Sequence, residues 1–514
     1  MTLRATDEVV APTRTDPLAR VASAAIGGPL GWRALSGRSW WTPLRVVLCV
    51  AIFAFGLGVL QKSPCVVTNW VDAASPKPYS HMCYSDLPYL YVGRGLAVGI
   101  APYTPRGELP ANRRPATQQA ADDLTVEYPV LIGVWMGLTG TITNAVGRHP
   151  DLSSVPTADI GGNPGVQYNS AVFWDVNAVG FFLILLAALL LLVRAQPRRP
   201  WDALFVAASP SLVLAATINW DMLALGCVVG AIWAWSRRRP VLAGMLIGLG
   251  VATKVYPLFL LGPLLVLCWR ERRLGEWGRC CLAGVVAWLA VDLPIIVWAP
   301  HQFAYVWTFN ASRGPDWGSL WLLAENYGHT ASAGQVNLGT WLLFGAACVG
   351  VALVGLFAPR RPRWVQLAYL VVAAFLLVNK VYSPQYVLWL LPLAVLARPR
   401  WRDLLIWQAC EVFYFFAIWM HLANFFVAAG TQDWVYNLAI LVRVAGELYL
   451  AVLVLRDIFA PSHDPVRADG LSDDPLGGVL DDGIDAEPAE SATPGGPVTA
   501  GASATRGAVG GVWG

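Results

Sequence analysis

The stretch AVFWDVNAVGFFLILLAALLLLV, residues 171–193, decides the fold. As a helix rising 1.5 Å per residue it reaches about 34 Å, enough to cross the ~30 Å hydrocarbon core of a bilayer. It ends against Arg194, Arg198 and Arg199, the basic flank that marks a cytoplasmic loop. Runs of the same kind recur from Pro43 to Leu455. Across the 514 residues 56% are hydrophobic and 13% charged, against about 25% charged in ordinary globular domains. Mean hydropathy is +0.51. The chain therefore reads as an all-α polytopic membrane protein, and a soluble-enzyme reading is excluded. A net charge of +3 is too small to point to nucleic acid.

Further Arg clusters punctuate the apolar runs: Arg33, Arg38 and Arg45; Arg237 to Arg239; Arg270, Arg272, Arg273 and Arg279; Arg360, Arg361 and Arg363; and Arg398, Arg400 and Arg402. Setting all of them inside predicts about twelve crossings and both tails in the cytoplasm. The crossings fall near 43–60 and 171–193, in hairpins over 202–235 and 240–269, and near 280–299, 336–357, 364–379, 384–397, 403–424 and 434–455. The apolar stretch 129–147 is a further segment, re-entrant or crossing. Residues 1–42 read as a cytoplasmic arm without a signal-peptide core, so the first span is a retained anchor. Residues 43–457 read as the membrane body. Residues 458–514, rich in Asp, Gly, Pro and Ala, read as a disordered cytoplasmic tail. The composition, with four Lys against thirty-two Arg, suits a high-GC bacterial genome.

This topology places loops 61–128 and 301–335 outside, and the chain's rare residues gather there. All four Lys (Lys62, Lys77, Lys254, Lys380) fall on the outer side, against the basic bias. The nine cysteines contain no CxxC pair and no metal-ligand spacing. Cys65 and Cys83 share the first outer loop, where they either form a disulfide or remain thiols.

Four segments carry candidate chemistry. Cys83-Tyr-Ser-Asp86-Leu-Pro-Tyr-Leu-Tyr91 sets a carboxylate among aromatic rings at a membrane surface, where an Asp either acts as a general base on a hydroxyl or is a solvated loop residue. Asp72, Asp122, Asp123 and Glu127 compete with it in the same loop. Lys254-Val-Tyr256-Pro and Lys380-Val-Tyr382-Ser-Pro-Gln385 are similar turns; their two ammonium groups either share a lipid phosphate or snorkel to the interface. Asn219-Trp220-Asp221 is either a sugar-binding turn or a helix cap. His329 lies in the second outer loop. No phosphate-cradling glycine loop, nucleotide fold or Ser/His/Asp set is present, which argues against a nucleotide-driven pump.

Taken in order, these segments resemble glycosyltransferase family 87, the actinobacterial membrane mannosyltransferases of GT-C fold that use polyprenol-phosphate sugars. The pieces that carry the resemblance are Asp86 after the first span, Gly99-Ile-Ala-Pro102-Tyr103, Glu127-Tyr128-Pro129, Ser209-Pro210 leading to Asn219-Trp-Asp221, Arg239 through Pro257, and Asn379-Lys-Val-Tyr-Ser-Pro-Gln-Tyr386. They cover roughly residues 43–400. The resemblance implies a GT-C-like bundle with a large first extracytoplasmic loop, and Asp86 as the catalytic base. It implies Lys254 and Lys380 as ligands of the donor phosphate, and Tyr128, Asn219, Asp221, Tyr256, His329, Tyr382 and Gln385 are the further candidates for the donor or substrate site. Some relatives carry Asp-x-Asp in the first loop; here the earlier position is Tyr84, which favours a metal-independent base over a divalent cation. The implied function is transfer of a sugar, most simply mannose, from a polyprenyl-phosphate donor to an envelope glycolipid or polysaccharide, with inversion, at the outer face of the plasma membrane. The alternatives are transfer of arabinofuranose from a decaprenyl-phosphate donor, and a non-enzymatic lipid or polysaccharide translocase or scaffold partner.

Overall fold

A computed structural model describes residues 9–25, 41–66, 70, 77–115, 117–426, 433–469 and 473–481. All but Asp481 belong to one unit, residues 1–480; the second unit, 481–514, otherwise lies outside the described residues. Regular elements among the described residues are helical throughout. The principal helices are α1 (Pro43–Val66), α2 (Asp86–Gly93), α3 (Val130–Val146), α4 (Pro164–Ala195), α5 (Asp221–Ser236), α6 (Pro240–Val251), α7 (Leu261–Arg270), α8 (Leu274–Trp298), α9 (Pro300–Ser312), α10 (Ala333–Phe357), α11 (Trp364–Val378), α12 (Val387–Ala397), α13 (Trp401–Leu422) and α14 (Trp434–Phe459). Six of them, α1, α4, α8, α10, α13 and α14, are long and apolar enough to cross a membrane. Six of the crossings read from the Arg clusters fall on these helices. The others fall on shorter apolar helices, and the first limb of the 202–235 hairpin is broken into Ala203–Ala207 and Pro210–Ala215.

Proline in the first turn starts α4, α6 and α9, where its missing N–H costs nothing. The outward faces of the long helices are apolar, with Phe53, Val179, Leu282, Leu342, Phe357 and Val452 pointing outward from them. Such a surface is a liability in water and is satisfied by lipid. Between α6 and α8 the contact is backbone on backbone. A Cβ on Gly244 would overlap the Cys280 carbonyl, and one on Gly248 the Gly284 carbonyl. This is the small-xxx-small device by which membrane helices approach closely.

Three helices give the body its polarity. Helix α5 begins at Asp221 and ends at Arg237, about 24 Å away. Helix α11 begins after Arg363 and ends at Asn379-Lys380, and α12 runs back from Tyr386 to Arg398. One end thus carries Arg clusters and the other the candidate site residues. Helix α3 leaves the site end. Trp135 donates to Asn177 of α4 (2.8 Å), while Arg148, just past α3, bonds Asn169, two turns further from Arg194 (2.7 Å). The stretch 129–147 therefore runs away from the Arg end instead of crossing toward it.

The Arg end is closed by both terminal segments. Val10 donates to the Arg198 carbonyl (2.8 Å), and Asp16 accepts from the Trp401 N–H (2.7 Å). Arg363 binds Asp464 through Nε (2.8 Å) and NH2 (3.0 Å), both residues being buried. Trp364 and Trp235 donate to the carbonyls of Leu476 and Gly477. The disordered tail read from 458 onward needs correction here: residues 460–469 and 473–480 are folded onto the body. What holds them is a buried ion pair and two indole N–H donors, with Leu476 and Leu480 in the core, not a periodic apolar face. At the other end Cys65 and Cys83 form a disulfide that ties α1 to the approach to α2.

Adding a methyl group at either close approach should overpack it. Gly248→Ala and Gly244→Ala are each expected to lower stability by about 1–3 kcal/mol, read by SDS titration of the detergent-purified protein. Gly262→Ala, where nothing lies within 4 Å, should leave it unchanged.

Candidate active site around Asp86

Asp86 is the first residue of α2 and is fixed from both sides. The Ser85 hydroxyl accepts from the Leu87 N–H and donates to the Thr217 carbonyl (2.7 Å), while the Asp86 N–H donates to the Ile218 carbonyl (2.8 Å). The carboxylate is partly exposed and each oxygen has a donor. Tyr84 Oη–H reaches Oδ1 at 2.7 Å, and Asn219 Nδ2–H reaches Oδ2 at 2.6 Å. Asn219 Nδ2 also donates to Tyr128 Oη (2.7 Å), and Asn219 Oδ1 accepts from the Trp220 N–H (2.6 Å) and from Lys254 Nζ (3.4 Å). The Lys254 ammonium lies 3.6 Å from Asp221 Oδ1 and 4.7 Å over the Tyr128 ring. Trp389 Nε1 donates to the same Asp221 oxygen (2.6 Å) and stacks on Tyr256 and Tyr386.

Burial pushes the Asp86 carboxyl above its ordinary range. The charge of Glu127 adds to this, while the Tyr84 and Asn219 hydrogen bonds and Lys254 act the other way. Burial and the Asp86 charge raise Tyr84 and Tyr128 well above the usual phenol range, so both remain protonated donors at neutral pH.

The competing acids are otherwise engaged. Glu127 is paired with Arg94 (2.8 Å), whose guanidinium also bonds the Asp123 carbonyl. Asp122 takes Gln118 Nε2–H (2.9 Å) and lies 3.6 Å from His301, and Asp123 is exposed. Asp72 lies outside the described residues.

Of the residues singled out by sequence, the fold gathers Asp86, Tyr128, Asn219, Asp221 and Lys254 directly, with Tyr256 attached through Trp389. Lys380 does not join them. Its three N–H groups go to the Asn310 carbonyl, the Arg313 carbonyl and Asn337 Oδ1, each at 2.6 Å. Two lysines sharing one phosphate is therefore not the resting arrangement; Lys380 pins the end of α9 to α10. Tyr382 points the other way, donating to Glu411 (2.9 Å) beneath the Arg443 guanidinium (3.7 Å). Gln385 is buried with Oε1 unpartnered among the described residues, and His329 is exposed beyond Leu320–Asn326 with no hydrogen bond to the Asp86 group. Sequence reasoning missed the pairing of Trp389 with Asp221, 168 positions apart. It also missed Arg313, held by Asp316 (2.5 Å) and close enough to interact electrostatically with Tyr128 and Tyr386. A lone Arg in a loop read as extracytoplasmic was its signal.

An all-helical membrane body with a carboxylate, an amide and an ammonium in contact at the ends of its helices defines a membrane-embedded site for polar chemistry. Residues 168–379 match the model of glycosyltransferase family 87, so this segment of the chain is similar to the domain of that family. The matched segment contains Asn219, Asp221 and Lys254; Asp86 and Tyr128 precede it and are joined to it through Asn219. Comparison with curated proteins gives no match. Among the described residues no group of three or more His, Cys, Asp or Glu side chains that could hold a metal ion is found.

Lys380→Met should unfasten α9 and leave two carbonyls unsatisfied. A loss of about 1–3 kcal/mol in all, from three hydrogen bonds made by one charged group, is expected and would be seen as a lower melting temperature in detergent. Lys254→Met, which breaks only long contacts, should change stability far less.

Proposed function

We propose that the protein transfers a sugar, mannose on the strength of the family resemblance, from a polyprenyl-phosphate donor to an envelope glycolipid or polysaccharide acceptor. Asp86 Oδ removes the proton of the acceptor hydroxyl. The oxygen attacks the anomeric carbon on the face opposite the phosphate, the carbon–oxygen bond to phosphate breaks, and the configuration inverts. The phosphate leaves without protonation because it is a good leaving group, and a fixed cation holds the charge that develops on it. Lys254 suits that task, since among the described residues its ammonium makes one hydrogen bond, at 3.4 Å, and a 3.6 Å contact to Asp221, and keeps donors to spare. The positive-inside bias sets the Arg end in the cytoplasm and the site at the extracytoplasmic surface, where a lipid-linked donor and an envelope acceptor meet.

The observation that carries this reading is the pairing of a partly exposed carboxylate, supplied with donors on both oxygens, with a loosely held ammonium on the other side of one amide. Asp86→Asn keeps the shape and removes the proton acceptor. Turnover should fall about 10²–10⁴-fold in a transfer assay with purified protein, with donor binding little changed. Glu127→Gln should be far milder. Lys254→Met should weaken donor binding and Lys254→Arg should restore it only in part, because guanidinium geometry differs from a point charge. A full-rate Asp86→Asn protein would contradict the assignment. Since Asp86 sits above the usual carboxylate range, the rate of the wild type should still be rising with pH above about 4, as the carboxyl ionises.

A further inference from the structure

Asn219 is 2% exposed, and every hydrogen-bonding position of its side chain is filled. An amide has two N–H donors and two lone pairs on oxygen. The donors go to Asp86 Oδ2 (2.6 Å) and Tyr128 Oη (2.7 Å), and the oxygen accepts from the Trp220 N–H (2.6 Å) and Lys254 Nζ (3.4 Å). The orientation of the amide is fixed by its neighbours. Turned over, it would set its NH2 against the Trp220 N–H and the Lys254 ammonium, and its oxygen against a carboxylate. A sugar hydroxyl could bond this amide only by displacing one of its four partners.

We propose that Asn219 is not a sugar ligand but a positioning residue that links the acceptor-side carboxylate Asp86 to the donor-side ammonium Lys254 through one amide. The proposal rests on the reading of Asp86 as the base. Its N–H holds Oδ2 of the ionised carboxylate, leaving the remaining lone pairs for the acceptor hydroxyl. The ammonium on its oxygen polarises the amide and strengthens that N–H bond, as in any chain of hydrogen bonds in a poorly solvated site. When Lys254 turns to the donor phosphate, the bond to Asp86 weakens, and the carboxylate becomes more basic at the moment a donor is in place. The charged and titratable groups facing Asp86 are Lys62 from α1, Tyr79 and Tyr84 from the preceding segment, Glu127 and Tyr128 before α3, Lys254 after α6 and Tyr386 before α12. None of these is Asn219's own charge, so replacing Asn219 alters the carboxylate through the hydrogen bond and the link to Lys254.

The test is the pH dependence of transfer for Asn219→Ala and Asn219→Ser, with Asp86→Asn beside them, each checked for folding by its elution in detergent. One hydrogen bond to a charged group corresponds to about one pH unit. The acid limb of Asn219→Ala should therefore move up by about that much, its rate falling about tenfold on the limb and recovering as the pH is raised. Asn219→Ser, which keeps a short donor, should move less and in the same direction. The KM for acceptor should stay within about twofold. An acid limb left at the wild-type position in either folded variant, with Asp86→Asn inactive, overturns the positioning role alone; so does a raised KM with no movement of the limb, the mark of a sugar ligand. A full-rate Asp86→Asn protein overturns the base assignment beneath it instead.

Discussion

Asp86 and Asn219 stand 133 residues apart in the chain and 2.6 Å apart in the molecule, and the site is organised by that contact. A charged group in an apolar bundle is tolerated only where the protein itself supplies its partners. The turn at 217–221 supplies them twice over. Its carbonyls take the Ser85 hydroxyl and the Asp86 N–H, and its Asn219 amide takes the carboxylate. Because the turn also starts α5, Asp86 is fixed to the membrane body although it comes from the segment between α1 and α3. Removing any one of these bonds leaves a buried polar group short of a partner, which ties the local fold to the chemistry.

The same constraint shapes the rest of the molecule. At the Arg end, arginines with a carboxylate partner are used structurally: Arg363 on Asp464, Arg398 between Asp403 and Asp457, and Arg199 on Asp202. At the other end the cations do two different things. Lys380 is saturated by two carbonyls and an amide and fixes the loop after α9, whose Asp316 N–H in turn bonds the Lys380 carbonyl. Arg443, buried in α14, pairs with Glu447 and donates to the Gly318 carbonyl in the same loop. Lys254 alone among the residues of the Asp86 group is a cation with loose contacts. Rigid cations hold the frame, and the loosely held one lies beside Asn219 and Asp221.

Much of this was legible in the sequence. Apolar runs of membrane length, the Arg clusters between them and the concentration of Lys, Asn and Asp at the opposite turns follow from the cost of burying charge, which leaves a mark on residue order. Asp86, Asn219, Asp221 and Lys254 were singled out this way and Tyr128 through the resemblance, and the fold brings the five into contact. What failed was pairing. Lys254-Val-Tyr and Lys380-Val-Tyr look alike, yet one ammonium meets a site and the other meets the end of α9, because like triplets on different helices carry no information about their neighbours. Trp389 belongs to a run that reads only as apolar, and its indole N–H matters because α12 lies against the start of α5. The folded segments 460–469 and 473–480 were missed because a buried Arg363–Asp464 pair and two indole N–H donors, not a periodic apolar face, hold them.

The central claim is that this site moves a sugar from a lipid phosphate by direct displacement. Its most direct test is transfer by the purified protein in proteoliposomes from radiolabelled polyprenyl-phosphate mannose to a membrane acceptor fraction, with the anomeric configuration of the product determined. The account predicts labelled acceptor whose linkage has the configuration opposite to that of the donor. Retained configuration would contradict displacement by a single base. Absence of transfer from every polyprenyl-phosphate sugar supplied would contradict the donor itself.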